Sequence, residues 1–505
     1  MKRFLLAALA VLTSALLWHF GTGLHPLTGL AFLAPMPVLL LMPRVSAGTA
    51  FVAGVLSWLG GALQLWGYLT ESIEQPVPVT VLLLGGTALL FGGVSTVTRA
   101  LLVRGRPGLA VVALPAGWVS VEFLLAVAGP FGAWWSIGYT QADVLPVIQT
   151  SALTGVWGVT FLILLVPSAI AVLFAPEVTR VQRLRVAGAT AAVLIALGAF
   201  GFWRLAVPQE RDTVRVGLVA VAQPPDYVPV DSADGRDMVA RAVVEIDQLA
   251  DQGARVVVLP EKSWRADDST IALLSGPLTD VATRRNIEVI AGLVLTTGGE
   301  SYNSAIDYPS GVRYDKHYLI PGLEDENQPG TRWQSVPGKP WALAVCFDLD
   351  HPDLVLANQR RGTTLLLVPA LDFTSDYWLH SRMAVMRGVE FGMGVARAPQ
   401  LGELVASDSR GHVLASATTD VTMTRTVLAD IPLTSGSTVY ARFGNWFGWT
   451  CLALFGAALG GAGRRRRTAS STAGGRPAAT NRRCPVAAPL SIRYHRRIHA
   501  LHRRS

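Results

Sequence analysis

WALAVCFDLD (residues 341–350) runs five uncharged, mostly apolar residues straight into a cysteine and follows it with two acids. Such a run, bounded by charge, reads as a short buried strand whose end delivers Cys346 into a loop. Two earlier stretches share the design. VVVLPEKSW (256–264) places Glu261 just past a β-branched run, and YDKHYLIPGLE (314–324) carries Lys316 and Glu324. A carboxylate, an ammonium and a thiol at strand ends are the groups needed for a base, a cationic stabiliser of developing negative charge, and a nucleophile. Taken singly, each has a plainer reading, as a buried structural cysteine or as solvated surface charge.

The surrounding residues continue the pattern. Strands are expected at 211–220, 254–260, 287–296, 341–347, 363–369, 393–399 and 412–418, with helices at 232–252, 272–286, 352–361 and 377–392. Strands alternating with helices, in β-branched runs with little polar alternation, indicate an α/β layered core. No dinucleotide fingerprint follows the first strand, so no nucleotide cofactor is expected. His and carboxylate spacing offers no metal site, and no cofactor is expected at all. Three cysteines exclude a disulfide scaffold; Cys451 reads as a small apolar residue in a helix, and Cys484 falls in the tail.

Of the 505 residues only 15% are charged and 51% are hydrophobic, an excess that a water-soluble domain cannot hide. Apolar stretches at 4–20, 28–42, 48–68, 78–99, 108–126, 147–174 and 185–204 have lengths near the roughly 20 residues that cross about 30 Å of hydrocarbon, and an eighth lies at 441–461. HFGTGLHPL (19–27) lacks a small-residue cleavage pattern, so the first stretch is read as a retained helix and not a signal peptide. Lys2/Arg3, Arg44, Arg99/Arg104/Arg106 and Arg180/Arg183/Arg185 fall on alternate connections, which places both termini in the cytoplasm and the α/β part outside. Residues 1–206 carry ten Lys/Arg and five Asp/Glu, the last 44 carry twelve Arg and no acid, and the segment 207–461 is left at −9. The formal +8 therefore belongs largely to the tail, and it supports attraction to anionic lipids over nucleic-acid binding. Glu122, inside an apolar stretch, calls for a function or a partner. Trp118, Trp134, Trp135 and Trp157 suit an interfacial aromatic belt.

Taken together, the Glu261/Lys316/Cys346 order, GPFGAWWSIGYTQADVLPVIQTSALTGVWGVTFL (129–162), HSRMAVMRGVE (380–390) and YARFGNWFG (440–448) resemble the bacterial apolipoprotein N-acyltransferase family, the membrane-embedded branch of the nitrilase superfamily. The resemblance implies a multi-span α-helical domain (1–206), an extracytoplasmic nitrilase-like αββα sandwich (207–437), a C-terminal transmembrane helix (438–463) and a basic, disordered cytoplasmic tail (464–505). It implies Glu261, Lys316 and Cys346 as catalytic residues. Glu324 matches a loop glutamate in a K-x₇-E arrangement, and Asn303 matches the asparagine of a YNSA segment; both are supporting residues.

The activity so implied is transfer of an acyl chain from a membrane phospholipid, through a Cys346 thioester, to the α-amine of a diacylglyceryl-modified cysteine of an apolipoprotein in the bacterial cytoplasmic membrane. Two departures stand out. CFD replaces the family's usual CYE, so Phe347 lacks a hydroxyl and Asp348 has a shorter reach, and VAVAQPPDYVP (219–229) lacks the usual glutamine–glycine–asparagine-like pattern. Asp348 is read as supporting, and Trp264 and Phe347 as lipid or acceptor contacts at the cleft mouth. HSRMAVMRGVE also suits an ordinary amphipathic helix with solvated charges. The alternatives are a membrane-tethered nitrilase-like amidase that passes the acyl group to water, and a noncatalytic membrane scaffold.

Overall fold

Six long apolar helices precede the sheets in the computed structural model, which describes residues 2–209, 212–224, 227–434 and 436–463. The spans are Phe4–Gly21, Ala47–Leu65, Val77–Val103, Pro107–Ala128, Val156–Leu173 and Arg180–Ala206, and a seventh, Trp446–Gly463, follows the sheets. The tail expected at 464–505 lies outside the described residues.

The stretch 28–42, expected as one span, is not a continuous helix. It forms a 3₁₀ turn at Leu30–Phe32, a single α-helical piece at Met36–Leu41 and another 3₁₀ turn at Met42–Arg44. Pro35, Pro37 and Pro43 remove three backbone donors and break the ladder. The segment nevertheless carries the chain back across the bundle. Trp18 and Trp58, near the C-terminal ends of the helices before and after it, have ring centroids 4.9 Å apart, and Gln64 Nε2 reaches Thr22 Oγ1 at 3.4 Å. Those helices are therefore parallel neighbours. The residues between them must return the full depth, with Ala31, Ala34, Val38, Leu39 and Met42 buried in the bundle core.

The basic connections gather at one end. Arg44 Nη2 donates to Phe174 O at 3.0 Å, Arg99 Nη2 to Val45 O at 2.6 Å, Arg106 Nη1 to Gly461 O at 2.9 Å and Arg183 Nη2 to Ala175 O at 3.0 Å. Each guanidinium caps a carbonyl at a helix or turn end.

Two sheets follow. In the first, Thr213–Ala220 pairs antiparallel with Arg425–Pro432 and parallel with Val256–Val258, which pairs parallel with Glu288–Thr297. Trp264–Asp267, Val228–Pro229, Glu300–Tyr308 and Arg313–Asp315 complete it. The second runs in the order Val413–Thr419, Gly402–Ser407, Gly394–Pro399, Leu365–Ala370, Trp341–Leu343.

Strand parity builds four layers. Val214, Val216, Leu218, Val256, Val258 and Ile290 face Leu343, Leu365, Leu367, Ala396 and Ala398 between the sheets. Val219, Val257, Val289 and Ala291 point the other way, onto the helices Ala233–Asp251 and Ala272–Arg285. This is the αββα arrangement expected from the resemblance. The expected strand 341–347 stops at Leu343, and Cys346–Asp350 is a 3₁₀ turn, so the cysteine leaves the sheet before it is presented.

The outer face of the second sheet has no separate core. Ala342, Leu366, Val368 and Val395, with Met383, Met386 and Val389 of the helix Tyr377–Phe391, share one cluster with Ala116, Val119, Phe123 and Trp157 of the membrane helices. Trp118 and Trp157 are accordingly buried inside the protein and are not part of an aromatic belt.

The charges of HSRMAVMRGVE also differ from a solvated face: Arg387 and Glu390 are fully buried. Arg387 Nη1 approaches Glu390 Oε2 at 2.6 Å, Arg387 Nη2 donates to Tyr139 Oη, and Glu390 Oε1 accepts the Val156 N–H at 2.5 Å. The carboxylate so caps the N-terminus of the span Val156–Leu173. Replacing Glu390 with Ala strands a buried guanidinium, so a loss of about 3–5 kcal/mol is expected. Thermal denaturation in detergent should show a clearly lowered midpoint for Glu390→Ala and a smaller fall for Glu390→Gln.

Candidate active site

Lys316 stands between two carboxylates. Its Nζ lies 2.8 Å from Glu261 Oε1 and 2.8 Å from Glu324 Oε2, with all three side chains at most 3% exposed. Asn303 Nδ2 donates to Glu261 Oε1 at 2.5 Å and to Glu324 Oε1 at 2.7 Å. Lys262, unnoticed in the sequence, reaches Glu324 Oε1 at 2.8 Å. Two cations thus face two anions, the balance that a buried charge cluster requires. Burial alone would lower the Lys316 ammonium, but Glu261 and Glu324 outweigh it and hold it well above the usual lysine value. Burial would raise Glu324; Lys316 and Lys262 outweigh that and bring it down to about 2.

Backbone geometry aims these groups. Glu261 follows the strand Val256–Val258, and its N–H donates to Ala370 O of the second sheet at 3.1 Å. Gly292 permits this approach, since a Cβ there would lie 2.3 Å from Pro260 O and 2.6 Å from Glu261 Cα. Lys316 N donates to Asn303 O at 2.8 Å, which carries the lysine beside the strand Glu300–Tyr308.

Cys346 sits at φ 41°, in the left-handed region where a non-glycine residue is strained, and Lys262 does so at φ 51°. Asp348 holds the cysteine turn. Its carboxylate accepts from Val345 N at 2.9 Å, Tyr318 N at 2.9 Å, His317 N at 3.2 Å and Tyr314 Oη at 2.7 Å. It therefore ties the turn of Cys346 to the loop that carries Lys316. Burial pushes Asp348 up to about 6 against the bonds from Tyr318, Val345 and Tyr314 and the nearby Lys316 charge.

The thiol donates weakly to Leu371 O at 3.5 Å, and Arg397 Nη2 lies 3.8 Å from Sγ. Arg397, also missed in the sequence, is held by Asp372, with Nη1 2.6 Å from Oδ2 and Nη2 on Oδ1. Burial, then Glu261, push the thiol well above its usual value; Lys316 and Arg397 pull it down without prevailing. Asp372, Asp376 and His380 bring candidate ligand atoms within 4.8 Å of one another. Their bonds are already committed: Asp372 to Arg397, and Asp376 to the Tyr68 hydroxyl at 2.6 Å and the Phe373 N–H at 3.0 Å. The cluster serves as a counter-charge for His380, whose imidazole burial would lower but Asp376 and Asp372 hold well above 6.5.

An apolar cavity of about 510 Å³ opens beside the cysteine turn, lined by Phe347, Phe373, Ile320, Leu323, Trp134 and Trp135 among others. Cys346 is not in its lining, although its neighbour Phe347 is. A further hollow of about 670 Å³ shares the lining residues Leu83, Phe131 and Trp135 with it and lies between the helices Val77–Val103 and Pro107–Ala128, where Leu82 is 72% exposed. Trp264, expected at the cleft mouth, is elsewhere. It pairs with Leu293 in the first sheet and is fully buried in the core beneath the helices, because strand alternation turns Trp264 and Ala266 inward and Arg265 and Asp267 out.

The thiol should react with iodoacetamide slowly near pH 7 and accelerate only above the ordinary thiol range of about 8.5, because a raised pKa leaves less thiolate at any lower pH. Rates measured against pH check this, and a midpoint at or below about 8.5 contradicts it. Arg397→Gln should move the profile further up.

Two family models match the chain: apolipoprotein N-acyltransferase N-terminal domain over residues 14–169 and carbon-nitrogen hydrolase over 218–442. The chain is 26% identical over 511 residues to an apolipoprotein N-acyltransferase of Geobacter metallireducens, covering 90% of this chain and 94% of that one. It is 24% identical over 470 residues to the protein of that name from Pasteurella multocida, covering 83% and 86%. Among solved structures, an amidase from Nesterenkonia sp. is 20% identical over 47% of this chain and 95% of its own, with a TM-score of 0.36.

Proposed function

From a two-domain chain that joins an apolipoprotein N-acyltransferase N-terminal domain to a carbon-nitrogen hydrolase domain, consistent with the apolipoprotein N-acyltransferase family, we propose a membrane acyltransferase working through Cys346. The donor is a phospholipid, and the acceptor is the α-amine of a diacylglyceryl-cysteine at the amino terminus of an apolipoprotein. The observation that carries the reading is the pairing of a balanced Glu261/Lys316/Glu324/Lys262 cluster and a buried thiol on a strained turn with an apolar cavity that adjoins a hollow on the flank of the membrane helices. A water-soluble substrate has no need of such a cavity.

In the first half-reaction Glu261 takes the thiol proton as sulfur attacks the ester carbonyl. A raised thiol pKa makes this coupling necessary, since little thiolate exists beforehand. Lys316 has three N–H groups, of which two are directed at Glu261 and Glu324, and the third meets the oxyanion as it develops. The tetrahedral adduct collapses, the lysophospholipid oxygen leaves with the proton from Glu261, and a thioester remains. The acceptor amine then attacks the thioester carbonyl. Glu261 receives the amine proton and returns it to the departing sulfur, giving the amide and the free thiol.

Asp348 and Asn303 support the geometry, through the cysteine turn and the paired glutamates respectively. Positive-inside bias assigns the arginine-bearing end to the cytoplasm. The sheets stand at the opposite end, where Glu390 caps Val156, and so on the extracytoplasmic face, where both lipid-anchored substrates reside.

Intact-mass spectrometry tests the cycle. Protein in phospholipid membranes without acceptor should gain one acyl mass on Cys346 and lose it, with N-acylation, when a diacylglyceryl-cysteine peptide is added. Cys346→Ala and Glu261→Gln should each abolish N-acylation, a loss of at least about 10²-fold. Loss of the adduct without an acylated peptide would instead indicate a hydrolase, and failure to form any adduct would refute the mechanism.

A further inference from the structure

Glu122 lies within the span Pro107–Ala128 and is buried, where an acid is costly unless it is given partners. Its two oxygens are divided by the kind of partner. Oε1 accepts from Trp118 Nε1 at 3.1 Å and from the Ile137 N–H at 2.9 Å, groups that only donate. Oε2 meets the hydroxyls of Ser136 at 2.9 Å and Thr160 at 2.8 Å, groups able to donate or accept.

Ser136 and Ile137 end the loop that carries Trp134 and Trp135. Its other end is fastened to the nucleophile's turn, where the Ala133 N–H donates to Asp350 O at 2.7 Å. Gly132, at φ 52°, allows the approach, since a Cβ there would come within 2.2 Å of the same oxygen. Trp134 also stacks on Tyr68, with centroids 5.8 Å apart and planes 11° off parallel. The two indoles line both the cavity beside Phe347 and a second one of about 820 Å³ inside the bundle, among Trp18, Trp58, Trp118 and Glu122.

We propose that Glu122 is a positioning residue: by holding Ser136 and Ile137 it fixes the Trp134–Trp135 pair as a partition between the two cavities, and so limits the length of apolar chain seated beside Cys346. Selection of an acyl chain follows only if the acyl-transfer reading holds, whereas the partition does not depend on it. The division of partners makes the negative charge unnecessary. Glutamine offers a carbonyl oxygen to Trp118 and Ile137 and an amide NH₂ to the two hydroxyls, whereas alanine offers neither.

The test uses the full chain in detergent with N-ethylmaleimide and N-dodecylmaleimide. The Cys346 thiolate adds to the maleimide double bond, a C–S bond forms, the adjacent carbon takes a proton, and nothing leaves. Peptide mass spectrometry gives the rate at Cys346 separately from Cys451 and Cys484. Glu122→Gln should keep the wild-type dodecyl-to-ethyl rate ratio, and Glu122→Ala should raise it at least about tenfold, the discrimination that chain length exerts in an apolar pocket. Ser136→Ala with Thr160→Val keeps the carboxyl but removes two of its partners, and should shift the ratio the same way, which covers an alanine variant that does not fold. An unchanged ratio in a folded variant lacking the contacts overturns the proposal, as does a Glu122→Gln protein that behaves like Glu122→Ala. A shifted ratio in a protein that never N-acylates an acceptor would sink the acyl-transfer reading and leave the partition standing.

Discussion

Lys316 is a full positive charge out of reach of water, and the residues around it are arranged to make that tolerable. Its partners come from separate stretches of chain: Glu261 after one strand, Glu324 from the following loop, and Asn303 from a neighbouring strand that binds both glutamates. Removing one partner would strand an ion in a medium that solvates it poorly, which ties the placement of two loops and a strand to one electrostatic requirement. The strained cysteine turn is held to the same assembly through Asp348, which grips Val345 on one side and His317 and Tyr318 on the other. Charge balance and backbone strain thus belong to one structure, and the Cys346 sulfur lies where they meet.

Much of this was legible from residue order. A β-branched run before Glu261 and an apolar run before Cys346 placed both at strand ends, and the alternation of strands and helices indicated a layered core. What escaped did so for identifiable reasons. Lys262 looks like an exposed charge beside Glu261 until Glu324 folds over it. Arg397 sits within a fully buried strand, Gly394–Pro399, and a lone arginine in such a run was the available signal that a counter-charge must lie opposite. Trp264 was misplaced because the residues after Pro260 read as a loop, whereas four of them return to the sheet and alternation turns the indole into the core. The strands Glu300–Tyr308, Gly402–Ser407 and Arg425–Pro432 are mixed in polarity and take their structure from pairing partners, which local pattern does not contain.

The membrane half shows the same division between local and long-range information. Hydropathy alone finds the long spans and the arginine-bearing connections. It cannot show that the proline-broken segment after the first helix still crosses the bundle, because that follows from two flanking helices lying parallel. Nor can it show that Arg387 and Glu390 are buried, since their partners Tyr139 and Val156 lie more than two hundred residues away.

The hydrophobic cluster shared by the second sheet and the membrane helices also sets an order of assembly. In a soluble sandwich the outer helix layer is completed from within the domain. Here Phe123 and Trp157, made long before Leu366 and Val368, supply part of that layer, and Cys451 of the last helix joins the same cluster. The bundle must therefore be inserted before the sheets have a surface to close upon, and the sandwich stays incomplete until its final strand has passed and the chain re-enters the bilayer. The lipid bilayer is in that sense a template in biosynthesis, and the turn that carries Cys346, tied to Ala133 of the membrane half, settles into place only against an inserted bundle.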